Sequence, residues 1–275
     1  MITKPISVLL PVHKKIDFHQ FKRSINSIIY KQSVIPKEFL VIIDGPVDER
    51  IFDYVKYLKK TIKYSNILII KHSTNKGLGP ILKDGVKRTK YDLILRCDSD
   101  DFSKKNRVKL LYNFHLKNKD VSVIDSAMGE YFGKQRMKRY VDNKKKNDSN
   151  YFKLRNVINH PTILMKKKDI LKAGNYEDVP FFEDYYLWIK LIKKKFKFAG
   201  INKVLVNTNT DLKFYERRSG IKYLNNYKFF LKKCLKIKFI NKFEFYSLFF
   251  SRSLIILSNK NIIKFFYNKF MRETN

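Results

Sequence analysis

The sequence predicts an α/β fold with a mainly parallel central sheet, helices on both of its faces and a helical extension at the C-terminus. Short apolar runs alternate with helical patterns over about the first 105 residues, and the character of the chain changes after residue 220. A β-α-β-α-β-α-β order is typical of a parallel sheet covered by helices. The 275 residues, 44% of them hydrophobic, suit one large domain, or one domain with an appendage.

Four apolar runs, at 6–12, 39–43, 67–70 and 93–96, predict the parallel strands. A turn signal, Asp44-Gly45-Pro46, follows the second of them. Apolar residues spaced three or four apart predict a helix after each of the first three strands. These residues are Phe18, Phe21, Ile25, Ile28 and Ile29, then Ile51, Val55 and Leu58, then Leu78, Ile81, Leu82 and Val86.

Beyond residue 105 the rhythm is less regular. We expect a helix near 108–116 and a second helix that carries Asp184, Leu187, Trp188 and Leu191. The polar, Lys-rich segment 133–156 favours a mobile loop over a structured insertion. Short apolar runs predict further strands at 121–124, 163–165 and 204–206.

An acidic cluster follows the fourth predicted strand. Asp98, Asp100 and Asp101 fall within four positions of a chain whose formal net charge is +34. Carboxylates this close repel one another unless a cation lies between them. Mg²⁺ takes oxygen ligands and usually binds one or two carboxylates together with substrate phosphates. The cluster therefore predicts a metal and diphosphate site, at the sheet edge where strands 6–12 and 39–43 also end.

Two other interpretations of the acidic cluster were weighed. One of its aspartates could cap the helix that follows, although one acid would suffice for that. An EF-hand loop is excluded, because Phe102 and Ser103 occupy the positions that need an oxygen ligand and a glycine.

Composition limits the compartment and the partners. Cys97 and Cys234 are the only cysteines, so there is no disulfide framework and a reducing compartment fits. We expect no signal peptide and no membrane-spanning helix. The excess of 59 Lys and Arg over 25 Asp and Glu reflects either compositional drift or a polyanionic partner, such as nucleic acid or an anionic membrane.

The segment 221–275 differs in kind from the rest. It holds twelve Lys or Arg, two Glu and fourteen Phe or Tyr. A basic face beside an aromatic face is typical of a helix at a membrane surface. The alternative is a helical subdomain that packs its aromatic side chains onto the main body. We expect one domain over 1–220 and a basic, aromatic-rich helical segment over 221–275.

Six motifs in order resemble the family-2 glycosyltransferases, which are inverting enzymes with the GT-A (nucleotide-diphospho-sugar transferase) fold. The resemblance covers about residues 5–220 and is strongest to bacterial members that build capsule, exopolysaccharide or O-antigen. The motifs are Ser7-Val8-Leu9-Leu10-Pro11-Val12, Val41-Ile42-Ile43-Asp44-Gly45, Asn75-Lys76-Gly77-Leu78-Gly79, Asp98-Ser99-Asp100-Asp101, Asn159-His160-Pro161-Thr162 and Glu183-Asp184-Tyr185-Tyr186-Leu187-Trp188.

The resemblance implies roles for single residues. Asp184 would be the catalytic base, which a poorly nucleophilic acceptor hydroxyl needs. Asp98 would contact the ribose and share the metal with Asp100. The remaining nucleotide contacts would come from Asp44, from Gly77 at a helix start, and from a base pocket lined by Pro11, Val12 and His13. One departure is that Ile43-Asp44 replaces the usual pair of acids.

Further residues are candidates for the sugar or the diphosphate. Glu183 accompanies the base, and Trp188 could form a wall of the sugar pocket or belong to the core. His160 could contact metal or phosphate, although a single His is more often structural. The last two are Arg217 and Arg218, whose guanidinium groups suit diphosphate oxygens but could equally be solvated.

The sequence thus predicts a metal-dependent glycosyltransferase that uses Mn²⁺ or Mg²⁺. It would move a hexose or N-acetylhexosamine from a nucleotide sugar, a UDP-sugar above all, onto a glycan acceptor that is lipid-linked. We expect a cytoplasmic protein, peripheral at the inner face of the membrane, whose C-terminal segment contacts an anionic membrane surface.

The alternatives are a nucleic-acid-binding protein, a nucleotidyltransferase and an aspartate-nucleophile phosphatase. The first leaves the acidic cluster unexplained, and we expect no nucleic-acid partner. The second lacks its Gly- and Arg-rich loop at His13-Lys14-Lys15, and the third has Phe102 where it needs Thr.

Overall fold

A computed structural model describes residues 2–133, 135–210, 214, 216–258, 261–263, 265 and 273–274. Over these residues ten strands join in one sheet. The strands are β1 Thr3–His13, β2 Ile35–Asp44, β3 Asn66–His72, β4 Leu93–Arg96, β5 Phe102–Ser103, β6 Val121–Phe132, β7 Gln135–Arg139, β8 Leu164–Lys166, β9 Lys197–Asn209 and β10 Glu273–Thr274.

Several helices begin where the sequence supplies a cap. The side chain of Asp17 accepts the Gln20 N–H at 3.0 Å before the first helix, and Asn241 forms a capping box with Glu244 before the last. The helices are α1 Phe18–Ile29, α2 Glu49–Thr61, α3 Leu78–Arg88, α4 Arg107–Lys117, α5 Asn143–Lys146, α6 Ser149–Leu154, α7 Lys167–Lys172, α8 Glu183–Lys193, α9 Gly220–Lys236 and α10 Lys242–Ile256, with a 3-10 turn at His160–Thr162.

The predicted parallel half of the sheet is confirmed. Strands β4, β1, β2 and β3 lie side by side in that order and run parallel. The second half is mixed: β8 runs antiparallel to β4 and β6, and β9 runs parallel to β6. In β1, His13 pairs with Asp44 of β2, so the carboxyl ends of these strands meet at one edge.

Helices cover both faces of the sheet because alternate strand residues point in opposite directions. Val8 and Leu10 belong to the buried cluster formed with α1, α2 and α4. Leu9, between them, belongs to the cluster formed with α3, α8 and α9. This arrangement confirms the expected α/β fold with helices on both faces.

The interpretation of 133–156 as a mobile loop is wrong. The described part of this segment forms β7, α5 and α6. Lys146, the last of three consecutive lysines, is fully buried in an ion pair with Asp125. Met137 and Phe152 are buried as well. The polar composition misleads because a few buried anchors are enough to fix a segment that is mostly solvated.

The C-terminal segment packs onto the main body through aromatic side chains. Phe230 of α9 stacks on Phe182 and Tyr185, with ring centroids 4.9 and 4.8 Å apart. Tyr227 adds a further contact with Phe182. The packing alternative weighed for this segment therefore holds for α9. Over the described residues, no helix is both long and apolar enough to span a bilayer.

Candidate active site

The acidic cluster lies at the carboxyl edge of β4, as the sequence predicts. Carboxylate oxygens of Asp98, Asp100 and Asp101 lie within 4.8 Å of one another. Asp101 is buried and Asp98 is partly exposed. Burial, and then the neighbouring carboxylates, raise the pKa of Asp100 and raise that of Asp101 well above its ordinary value.

These three residues fit a divalent cation. The donors are all carboxylate oxygens, the ligands that Mg²⁺ and Mn²⁺ prefer. Burial and the mutual repulsion of the carboxylates, which together raise the pKa values, would both be relieved by a bound cation. The same three residues are the one group with metal-ligand geometry among the described parts of the chain.

Arg96 supplies positive charge that partly balances the acidic cluster, and the sequence analysis did not identify this residue. Its buried guanidinium forms an ion pair with Asp98. Burial works against the charged form, yet the attraction of Asp98 leaves the pKa of Arg96 raised. A charged residue that ends an otherwise apolar strand was the signal available in the sequence. Since Arg96 also acts on Glu183 and Asp184, it joins the two acidic motifs electrostatically.

A second buried arginine holds the end of β4 in place. Arg107 donates to the carbonyl oxygens of Arg96 and Pro161 at 2.6 and 2.7 Å. It also donates to the Ser103 hydroxyl at 2.9 Å. These bonds tie β4, β5 and the 3-10 turn together, so the acidic cluster rests on a fixed backbone.

The predicted base stands in the first turn of α8. Asn156 donates its side-chain N–H to Asp184 at 2.8 Å, and the Tyr185 backbone N–H donates at 2.7 Å. Burial raises the pKa of Asp184, and these two hydrogen bonds oppose the rise. Burial, and then Asp184, raise the pKa of Glu183 to about 7. A carboxyl group with a raised pKa suits proton abstraction near neutral pH.

The expected nucleotide residues cluster around the ends of β1 and β2. The Asp44 carboxylate accepts hydrogen bonds from the backbone N–H groups of Lys76 and Gly77 at 2.7 and 3.0 Å. Gly77 has a φ of +90°, a left-handed conformation that glycine adopts without strain. Asp44 thus shapes the loop before α3, and a carboxylate with four lone-pair sites can still accept a ribose hydroxyl.

The first strand contributes in two different ways. His13 is exposed at the strand end, and its electrostatic influence lowers the pKa of Asp100. Val12 is fully buried against the helices on one face of the sheet, and Pro11 is buried as well. The side chain of Val12 therefore belongs to the core.

A cavity of about 300 Å³ opens beside the acidic cluster. Asp100 lines it, together with residues that the sequence analysis did not single out. The lining residues on β6 and β9 carry no sequence motif, because they come close to Asp100 only when the sheet is formed. The other lining residues are Arg23, Phe102, Tyr131, Asn207 and Asn209.

Two remaining candidates lie beneath the site. His160 is buried, its Nε2 is 2.8 Å from the Tyr176 hydroxyl, and burial lowers its pKa well below the ordinary value. Trp188 is fully buried, with its ring centroid 5.8 Å from that of His160. The core alternative for Trp188 therefore holds, and His160 is a buried side chain whose pKa the charge of Arg96 lowers further.

The arginine pair lies after β9. Arg217 is exposed. Arg218 donates to the Phe214 carbonyl at 3.1 Å and lies 3.7 Å above the Phe214 ring. The contacts described for this pair do not include the acidic cluster.

Comparisons with known proteins bear on this arrangement. The sequence model of Glycosyl transferase family 2 matches residues 7–173. The chain is 32% identical over 223 residues, 80% of each chain, to the Escherichia coli UDP-Gal:alpha-D-GlcNAc-diphosphoundecaprenol beta-1,3-galactosyltransferase. It is 28% identical over 258 residues, 91% of this chain and 96% of the other, to the Escherichia coli O-antigen biosynthesis glycosyltransferase WbnJ.

Solved structures agree on the fold. The crystal structure of S. aureus TarS 1-349 in complex with UDP-GlcNAc matches with a TM-score of 0.63 at 16% identity. That match covers 97% of this chain and 75% of TarS 1-349. The expected GT-A fold is confirmed, and so is the resemblance drawn from the six motifs. The chain belongs to glycosyl transferase family 2 and is a glycosyltransferase.

Proposed function

We propose that this enzyme transfers a hexose or N-acetylhexosamine from a UDP-sugar to a lipid-linked glycan during surface polysaccharide synthesis, with inversion at the anomeric carbon. The observation that carries the proposal is Arg96, which connects an acidic cluster suited to a metal with a carboxyl group suited to act as base. The UDP-Gal donor and diphosphoundecaprenol acceptor in the name of the Escherichia coli relative support the substrate classes.

In this mechanism Asp184 takes the proton from the acceptor hydroxyl as that oxygen attacks the anomeric carbon. Asn156 and the Tyr185 N–H orient the carboxylate. The bond from the sugar to the diphosphate breaks in the same step. Arg23, on the wall of the cavity that Asp100 lines, would attract the diphosphate oxygens. Asp98, Asp100 and Asp101 would hold Mn²⁺ or Mg²⁺, which when bound stabilises the charge of the leaving group.

We further propose a location at the inner face of the cell membrane, with the C-terminal segment 221–275 on an anionic membrane surface. A lipid-linked acceptor would be met there, and the net charge of +34 favours such a surface.

Thermal-shift measurements with a panel of nucleotides and nucleotide sugars, with and without Mn²⁺, test the proposed donor. UDP or UDP-sugar at about 100 times its Kd, with Mn²⁺, should raise the unfolding midpoint by roughly 5–11 °C, since ligands stabilise the state they bind. Asp100→Ala should remove the Mn²⁺-dependent part alone. A larger shift with GDP or ADP than with UDP would contradict the donor assignment.

A further inference from the structure

Helix α10 presents an apolar stripe to solvent. Five large side chains, from the start of α10 to the residue just after it, are between 55% and 81% exposed. They are spaced three or four positions apart, so they share one face of the helix. The apolar stripe consists of Phe243, Tyr246, Phe250, Leu254 and Leu257.

The opposite face of α10 is occupied, which fixes the direction of the stripe. Phe245 and Ile256 are buried in the cluster that covers the sheet. Glu244 binds Lys153 of α6 at 2.7 Å, and α6 leads directly to Asn156 beside the base. Because one face is docked in this way, the stripe points away from the domain.

Exposed aromatic and aliphatic side chains in this number and order mark an interaction surface. The surroundings of the stripe narrow the choice of partner, since residues 220–258 carry eight Lys or Arg and one acid, Glu244. Lys236, Lys238 and Lys242 are exposed at the turn between α9 and α10. Apolar side chains bordered by lysines complement a bilayer with anionic headgroups.

A second copy of this chain is the competing partner, and charge argues against it. Pairing two stripes would bring two equally basic hairpins together, in a protein whose net charge is +34. Like charges repel across such an interface, whereas anionic lipid compensates them.

We propose that the apolar stripe of α10 enters an anionic bilayer while α9 remains docked on the catalytic domain. This inference deepens the proposed membrane contact of the C-terminal segment, on which it rests. It assigns the two helices different roles: α9 completes the core and α10 holds the enzyme on the lipid surface.

Vesicle flotation of the full chain tests the proposal. The vesicles contain phosphatidylcholine alone, or phosphatidylcholine with about 30% phosphatidylglycerol, a composition chosen to give a negative surface potential. The stripe variant, Phe243→Ser with Phe250→Ser and Leu254→Ser, should lose binding to the anionic vesicles on the order of 100-fold. Binding of the unaltered protein should weaken in high salt and on neutral vesicles.

A matched variant controls for general loss of apolar surface. Tyr57→Ser, Leu116→Ser and Leu171→Ser remove three large side chains that are 40% to 55% exposed on other helices. This control should float as the unaltered protein does. The proposal would be overturned if the stripe variant floated as well as the unaltered protein. It would also be overturned if the unaltered protein were a dimer that the stripe substitutions dissociate without changing flotation.

The UDP thermal shift separates this inference from the proposed function. The stripe variant should keep that shift in full, because its altered residues lie outside the nucleotide site, and this result also confirms folding. A protein that floats through the stripe but binds no nucleotide sugar would refute the donor assignment and leave the bilayer contact standing. A protein that binds UDP but floats independently of the stripe would refute the bilayer contact and leave the donor assignment standing.

Discussion

The side-chain amide of Asn156 donates a hydrogen bond to Oδ2 of Asp184 across 2.8 Å. This bond favours the charged carboxylate, so it lowers the pKa of Asp184, the proposed base, against the effect of burial. Asn156→Ala should therefore move the acidic limb of the kcat profile to higher pH and lower kcat at pH 7 by about 10-fold. Donor KM should change little. A full pH–rate series on both proteins checks this.

Asn150→Ala, an exposed change on α6, serves as the matched control and should leave the profile unchanged. Asp184→Asn should lose about 10²- to 10⁴-fold in kcat at every pH, since this variant lacks the carboxylate that we propose as the base. An Asn156→Ala profile with an unshifted acidic limb would show that the amide does not tune the base.

Arg96 should matter far more than a surface arginine. Arg96→Met leaves Asp98 without its buried counter-charge, and breaking a buried ion pair in this way costs about 3–5 kcal/mol. Arg88→Met removes an exposed pair with Asp84 at 2.8 Å and should cost less than about 1 kcal/mol. Urea unfolding of both variants measures the two values. Similar losses would mean that Arg96 is not a structural counter-charge.

Local patterns in the sequence predict the parallel half of the sheet and the acidic cluster well. Strand β4 and the three aspartates after it are adjacent in the chain, so an apolar run and its charged end are visible without tertiary information. The electrostatic influence of Arg96 on Asp184 depends on how α8, more than 80 residues later in the chain, packs against the sheet, and no local pattern in the sequence predicts it.

Other parts of the site could not be predicted from local patterns. Asn207 and Asn209 reach the cavity because β9 joins the sheet beside β6, a pairing without a local signal. The sequence alone left Trp188 either in a sugar pocket or in the core. Helical periodicity predicts which face of the helix is buried, but it does not predict whether a ligand or other side chains cover that face. Buried polar pairs such as Lys146 with Asp125 are equally invisible in composition.

That ion pair gives a test of the structured segment around α5. Lys146→Met leaves Asp125 buried and uncompensated and should lower the free energy of unfolding by about 3–5 kcal/mol. Lys144→Met, two residues earlier and exposed, should change it by less than about 0.5 kcal/mol. Combining Lys146→Met with Asp125→Leu should recover much of the loss. Equal stability of both single variants would contradict the burial of Lys146.

Glu183 should make stability depend on pH. Burial raises its pKa from 4.5 to about 7, so between these values the folded state holds a proton that the unfolded state has released. Stability must then fall as pH rises through this window, by up to about 1.4 kcal/mol per pH unit. Glu183→Gln removes this contribution. Urea unfolding measures the free energy of unfolding of both proteins at pH 5 and pH 8. The value for Glu183→Gln, relative to that of the unaltered protein, should be about 2–3 kcal/mol higher at pH 8 than at pH 5.

Glu177 provides a control of opposite sign. Burial favours its neutral form, but hydrogen bonds from Lys190 at 2.7 Å and Lys233 at 2.6 Å hold its pKa below the ordinary value. Its contribution is present at neutral pH and is lost as pH falls through the lowered pKa. Glu177→Gln should be less stable than the unaltered protein at pH 7, with the deficit shrinking in acid. Parallel pH dependences for both glutamine variants would contradict these assignments.

The stacking of Phe230 on Phe182 and Tyr185 limits how relatives of this enzyme can be recombined. Those two rings flank Glu183 and Asp184 in the chain, so a protein shortened at residue 220 would uncover the helix that bears the proposed base. Chimeras that exchange C-terminal segments between enzymes should therefore carry the matching α8 residues with them, or they will lose turnover even on acceptors that need no membrane.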